Sequence, residues 1–266
     1  MENRSQKAIA WMNGSATLFG VILLIYLIRF VLFRWIVPLV AENDWARYLL
    51  TIFFALLWGF LAWRALARDA IAPQTIGLTV SKIPQTVIVL AAGWVVWAGV
   101  WALLALPQVR ASGQDISLFI GAPADILQQW LFVGVAEELL FRGYLLTRLQ
   151  CVFSRFTQTW KDWLAVLASG LIFATAHVPV KLSVLGGQGA WFVVLPELME
   201  IFLIGLFFAY FFLRTRNVVL TGLIHGGWNA PLIGKQDVLR LGIFALVVEI
   251  WRLFEKRGRK ASISAL

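Results

Sequence analysis

The chain has 266 residues, 61% of them hydrophobic and only 14% charged, with a mean hydropathy of +0.81. A soluble domain carries roughly a quarter charged residues, so the composition excludes one and defines an all-α, polytopic transmembrane helical bundle. The net charge of +9 reads as Lys and Arg in cytoplasmic loops rather than nucleic-acid binding, and the single cysteine, Cys151, excludes an internal disulfide or a multi-cysteine metal cluster.

The opening MENRSQKAIAWMNGS has no short apolar core followed by a small-residue cleavage site, so no removable signal peptide is expected. Apolar runs near the ~20-residue length that spans a hydrocarbon core lie at 16–40, 46–64, 86–106, 118–147, 163–181, 190–213, 217–234 and 237–254. They predict about eight spans in a single integral membrane domain, 1–266. Arg29 and Arg34 in the first span can snorkel to an interface. The fourth span opens on the polar GAPADILQQ, which places Asp125, Gln128 and Gln129 towards water or a neighbouring helix. Glu197 and Glu200 in the sixth, beside Pro196, either line a water path or mark an interfacial helix start. The seventh is short and glycine-rich. Arg240 and Glu249 in the last are too far apart to pair along one turn, and the sequence gives them no role.

Basic residues set the orientation. One side gathers Arg4 and Lys7, then Arg64, Arg68 and Lys82, then Arg148, Arg155 and Lys161, then Arg214 and Arg216, and the tail Arg252, Lys256, Arg257, Arg259 and Lys260. The other side holds Arg47, Arg110, Lys181 and Lys235. Eight spans with both termini cytoplasmic follow, in the inner membrane if the cell is bacterial. The tail EKRGRK reads first as a topology signal and second as a contact for anionic headgroups.

Charge inside a bilayer is costly and marks function by default. The fourth span carries AEELLFRGYLL, with Glu137, Glu138 and Arg142. In an α-helix Glu138 and Arg142 are i,i+4 and can pair, while Glu137 points about 100° away. Both histidines of the chain fall in predicted spans: His177 closes FATAH and His225 opens HGGWN. His225 and Asn229 are again i,i+4, and Gly226 and Gly227 between them allow another backbone or a substrate to approach. Counted from the cytoplasmic ends at 1.5 Å per residue, Glu137, His177 and His225 lie about 15, 21 and 12 Å deep, near one level. A carboxylate, two imidazoles and an amide at one level suit activation of a water and binding of an oxyanion.

These segments resemble the three motifs of the CPBP intramembrane protease family, which includes CAAX prenyl proteases and bacteriocin-processing or immunity proteins. EExxxR is met by Glu137, Glu138 and Arg142, FxxxH by Phe173 and His177, and HxxxN by His225 and Asn229. The resemblance covers 118–234, a catalytic core of spans four to seven. It implies an intramembrane endopeptidase that hydrolyses a peptide bond of a membrane-embedded or lipid-anchored peptide or protein, at the lipid bilayer and without nucleic acid. Glu137 would be the general base, with His177 helping to hold the water. His225 and Asn229 would bind the oxyanion or also contact the water. Glu138 and Arg142 would support them, and Phe173 would pack the site. The cofactor question stays open between a metal-free glutamate mechanism, which is favoured, and Zn held by Glu137, His177 and His225. A non-catalytic immunity or scaffold protein of the same family is the alternative. A proton-coupled transporter would show an inverted repeat, and the polar groups cluster in the second half only.

Overall fold

The structure is a computed structural model that describes residues 4–184, 191–235 and 237–264. Residue 190, the expected start of the sixth span, and the side chains of Arg4, Lys7, Arg259 and Lys260 lie outside the described residues.

The chain is helical nearly throughout. Helix α1 (Arg4–Val31) runs on through a π-turn, Leu32–Ile36, and a 3-10 turn, Val37–Val40. Asn43 caps α2 (Asp44–Arg68) by accepting from the Ala46 amide at 2.9 Å. Helix α3 (Ile83–Leu104) starts with a proline in its first turn, where a missing N–H costs nothing, and α4 (Leu106–Ala111) follows. Next comes a helical run of alternating winding: α5 (Pro123–Leu127), a π stretch Gln128–Gly134, α6 (Val135–Glu138), a second π stretch Leu139–Leu146, and α7 (Thr147–Val152). The remaining helices are α8 (Gln158–Thr175), α9 (Val178–Val184), α10 (Trp191–Thr215), α11 (Val218–Asn229) and α12 (Val238–Ser264). Among the described residues there is no strand, only an isolated antiparallel bridge between Ile120 and Ile233.

The all-α polytopic bundle is therefore as expected. Among the described residues, five stretches are long and apolar enough to cross a membrane: Gly14–Val40, Asp44–Arg68, Pro73–Leu104, Gln158–Ser183 and Phe192–Thr215. The other three expected spans are also helical but of different character. The run from Pro123 to Val152 is broken into short α and π pieces, α11 is only about 18 Å long, and α12 carries Arg240, Glu249 and Arg252.

Two compact units emerge: residues up to Ile76 together with Leu139–Ala209, and Gly77–Glu138 together with residues from Tyr210 onward. In the first, Asp69 at the end of α2 accepts from the Tyr144 hydroxyl at 3.1 Å and faces Arg148 Nε at 3.4 Å. Arg29 is buried with its guanidinium over the Trp58 ring, so it packs inward instead of snorkelling. In the second, α11 packs against the first π stretch and α6, and α12 packs against α3.

Candidate active site

Helix α11 is fixed at its N-terminus by Asn217, which is fully buried. The Asn217 side-chain oxygen accepts from the Leu220 amide at 3.0 Å, and its Nδ2 donates to Thr86 Oγ1 at 2.9 Å. One residue thus caps α11 and ties it to α3. Along its length α11 meets the 128–138 segment backbone to backbone. A Cβ on Gly222 would lie 2.6 Å from Val135 Cα, one on Gly134 2.7 Å from the Gly226 nitrogen, and one on Gly226 2.5 Å from the Gln129 carbonyl oxygen. Those separations are closer than side chains tolerate, so the glycines permit the approach. Gly227 faces the Trp94 and Trp130 rings instead of a backbone.

This seating brings His225 against both glutamates of the first motif, all three buried. His225 Nδ1 lies 2.9 Å from Glu138 Oε1, and His225 Nε2 lies 3.9 Å from Glu137 Oε2. A carboxylate oxygen accepts, so Nδ1 carries a proton, and in the neutral form of the ring Nε2 is the nitrogen with the free lone pair. The sequence places Glu138 as a partner for Arg142; here it orients His225. Residues 139–146 are π-wound, with more residues per turn than an α-helix. Helical-wheel arithmetic therefore does not carry from Glu138 to Arg142.

Asn229, the last residue of α11, donates from Nδ2 to Gln129 Oε1 at 3.0 Å. Both line a cavity of about 440 Å³ bordered by Leu118–Ala122, Asp125, Ala230, Pro231 and Gly234, within the usual range for ligand sites. The sequence reading found Gln129 polar and assigned it only to water or a neighbouring helix. Its alignment with Asn229 depends on how the two helices meet, which no local spacing encodes.

Arg142, Phe173 and His177 fall in the other unit. Helix α8 ends at Thr175, and its last amides turn to tighter bonds, His177 N–H donating to the Ala174 carbonyl at 2.9 Å. The Phe173 carbonyl accepts instead from His177 Nδ1 at 2.7 Å. That gives the four-residue spacing of FxxxH a physical reason: a helix-end carbonyl holds the imidazole one turn on. As at His225, Nε2 is the basic nitrogen. The Phe173 ring lies 4.8 Å from the His177 ring and 4.6 Å from the Arg142 guanidinium, and Arg142 Nη2 donates to the Gly205 carbonyl at 2.7 Å. Glu197, one of the two acids considered for a water path, pairs with Lys181 at 2.8 Å in a partly exposed bridge. The three residues named for zinc fall in two units, Glu137 and His225 in one and His177 in the other. Among the described residues no group of three or more His, Cys, Asp or Glu side chains is arranged to hold a metal ion.

The fold and these side chains define an integral, polytopic helical membrane protein with a buried carboxylate–imidazole site beside a cavity. Residues 119–231 match the family model for type II CAAX prenyl endopeptidase Rce1-like, so this stretch of the chain is similar to a family of proteases. The match takes in every residue of the three motifs. No curated protein and no solved structure matches the chain.

Proposed function

We propose that the chain is an intramembrane endopeptidase in which Glu137 activates a water for attack on a peptide carbonyl. The observation that carries this reading is the placing of His225, with Nδ1 held by Glu138 and Nε2 directed at Glu137 across 3.9 Å. That gap is too long for a direct hydrogen bond. It suits a water oxygen about 2.8 Å from each group, donating one hydrogen to the carboxylate and one to Nε2. Glu137 takes the first proton as the water oxygen bonds to the carbonyl carbon. The carbonyl electron pair moves onto oxygen, where an amide such as Asn229 Nδ2 serves as donor. The intermediate collapses with loss of the C–N bond, and Glu137 returns its proton to the leaving nitrogen. In this geometry His225 contacts the water first, the second of the two roles the resemblance allowed it. The resemblance implies that His177 helps to hold the water. The substrate is a membrane-embedded or lipid-anchored peptide or protein, reached near the 440 Å³ cavity that Asn229 and Gln129 line.

The test compares protein termini in cells expressing the wild type and Glu137→Gln, which keeps shape and removes the base. New termini with the wild type only are expected, and they identify the substrate. Identical termini alongside a surviving cellular phenotype would remove Glu137 as base and leave a non-catalytic scaffold as the function.

A further inference from the structure

Arg240, which the sequence left without a role, is fully enclosed in α12, 1% exposed. Its guanidinium donates from Nη2 to the Trp228 carbonyl at 3.3 Å and from Nη1 to the Lys235 carbonyl at 3.1 Å. It lies 5.4, 5.7 and 5.8 Å from the ring centres of Trp94, Trp97 and Trp228, within cation–π range. Two of the neighbouring tryptophans reach the same segment. Trp130 Nε1 donates to the Ala230 carbonyl at 2.8 Å, and Trp97 Nε1 donates to the Ile233 carbonyl at 2.9 Å. Side-chain donors therefore take four carbonyls between 228 and 235, from the last turn of α11 onward, where backbone carbonyls lack helical partners. Trp94 stacks on Trp130 at 5.5 Å and meets Phe244 edge-on, which fixes the tryptophans in turn.

The segment so held begins with Asn229 and carries Ala230, Pro231 and Gly234, one wall of the cavity. A buried guanidinium is costly, and a loop needs no such group merely to close. We infer that Arg240 is a positioning residue: through the Trp228 and Lys235 carbonyls it sets Asn229 and the cavity wall in place for substrate. It touches neither substrate nor water itself. Lysine cannot replace it, because one ammonium does not supply the planar fork that reaches two carbonyls. This inference rests on the endopeptidase reading, and its test has one arm that does not.

The experiment uses full-length Arg240→Lys, Arg240→Met and the milder Trp97→Phe, which keeps a ring and loses one donor. Backbone hydrogen exchange of each purified protein in lipid nanodiscs is measured, together with the wild-type-specific, Glu137-dependent termini in cells at matched expression. Faster exchange confined to 228–235, with cleavage reduced at least tenfold in both Arg240 variants and less in Trp97→Phe, is the expected result. Unchanged exchange in that segment overturns the clamp. Faster exchange there with wild-type cleavage shows that Arg240 serves the fold and not the site, and also overturns it. Should Arg240→Met fail to fold, Arg240→Lys and Trp97→Phe decide alone. Absence of any Glu137-dependent terminus in the wild type defeats the endopeptidase reading, and the exchange arm still judges the clamp.

Discussion

At the residue scale the site turns on how His225 is divided between two carboxylates. Glu138 holds Nδ1 and so decides which nitrogen faces Glu137. Glu138→Gln offers a side-chain oxygen of the same reach and removes the charge, but it also allows the amide to turn and present its NH₂ to Nδ1. The ring then settles with its proton on Nε2, the wrong nitrogen for accepting from a water. The expected outcome is a folded protein whose Glu137-dependent cleavage falls on the order of 10²–10⁴-fold, the span of a general acid–base contribution. Cleavage of the substrate found by termini profiling, measured beside thermal unfolding, checks it. Full activity in Glu138→Gln would mean that the tautomer of His225 does not matter. The sequence showed Glu137 and Glu138 as neighbours and gave Glu138 to Arg142, because i,i+4 spacing is visible along one helix. A pairing with His225, 87 positions away, is not.

At the element scale the decisive contact is α11 on the 128–138 segment, made of glycines and therefore backbone on backbone. Gly226→Ala adds a Cβ 2.5 Å from the Gln129 carbonyl oxygen, and a carbonyl in a helix cannot move aside as a long side chain can. Overpacking of this kind typically costs about 1–3 kcal/mol. The variant should unfold at a lower temperature in detergent and lose cleavage, since the same shift separates His225 from Glu137. Gly20, with open space around it, is the control: Gly20→Ala should leave the unfolding temperature within error. A Gly226→Ala protein of normal stability and activity would show that the helices are not this close. How much of the site was legible follows from the same contact. Gly226 and Gly227 announced a close approach, and the motif residues announced the chemistry. The π winding of 128–134 and 139–146 was hidden, because nothing in QQWLFVG or LLFRGYLL departs from an α-helical apolar run. Arg240 was hidden for a related reason. Its partners are backbone carbonyls and tryptophan rings from α3 and α11, and sequence spacing tests only pairing along one helix.

At the scale of the whole molecule, the charge asymmetry and the helix lengths make different demands. Alternating basic loops require the helical run from Pro123 to Val152 to cross the bilayer, whereas length and apolar character single out five other stretches. The run carries Glu137, Glu138 and Arg142 and opens on Asp125, Gln128 and Gln129, so its polar content alone explains why it is not among the five. Crossing would put Ser112, before the run, and Thr157, after it, on opposite sides of the membrane. Both are exposed, and with Cys151 as the only cysteine a Cys151→Ser background makes single-cysteine labelling clean. Ser112→Cys should react with a membrane-impermeant maleimide on intact cells, and Thr157→Cys only after permeabilisation. The sign follows from the basic residues: Arg148, Arg155 and Lys161 flank Thr157 and favour the cytoplasmic side, while Arg110 stands alone near Ser112. Labelling of both positions from the same side would mean that 123–152 enters and leaves by one face. The alternation of loops would then fail, and Glu137 would be reached from that face instead of lying mid-way through a span.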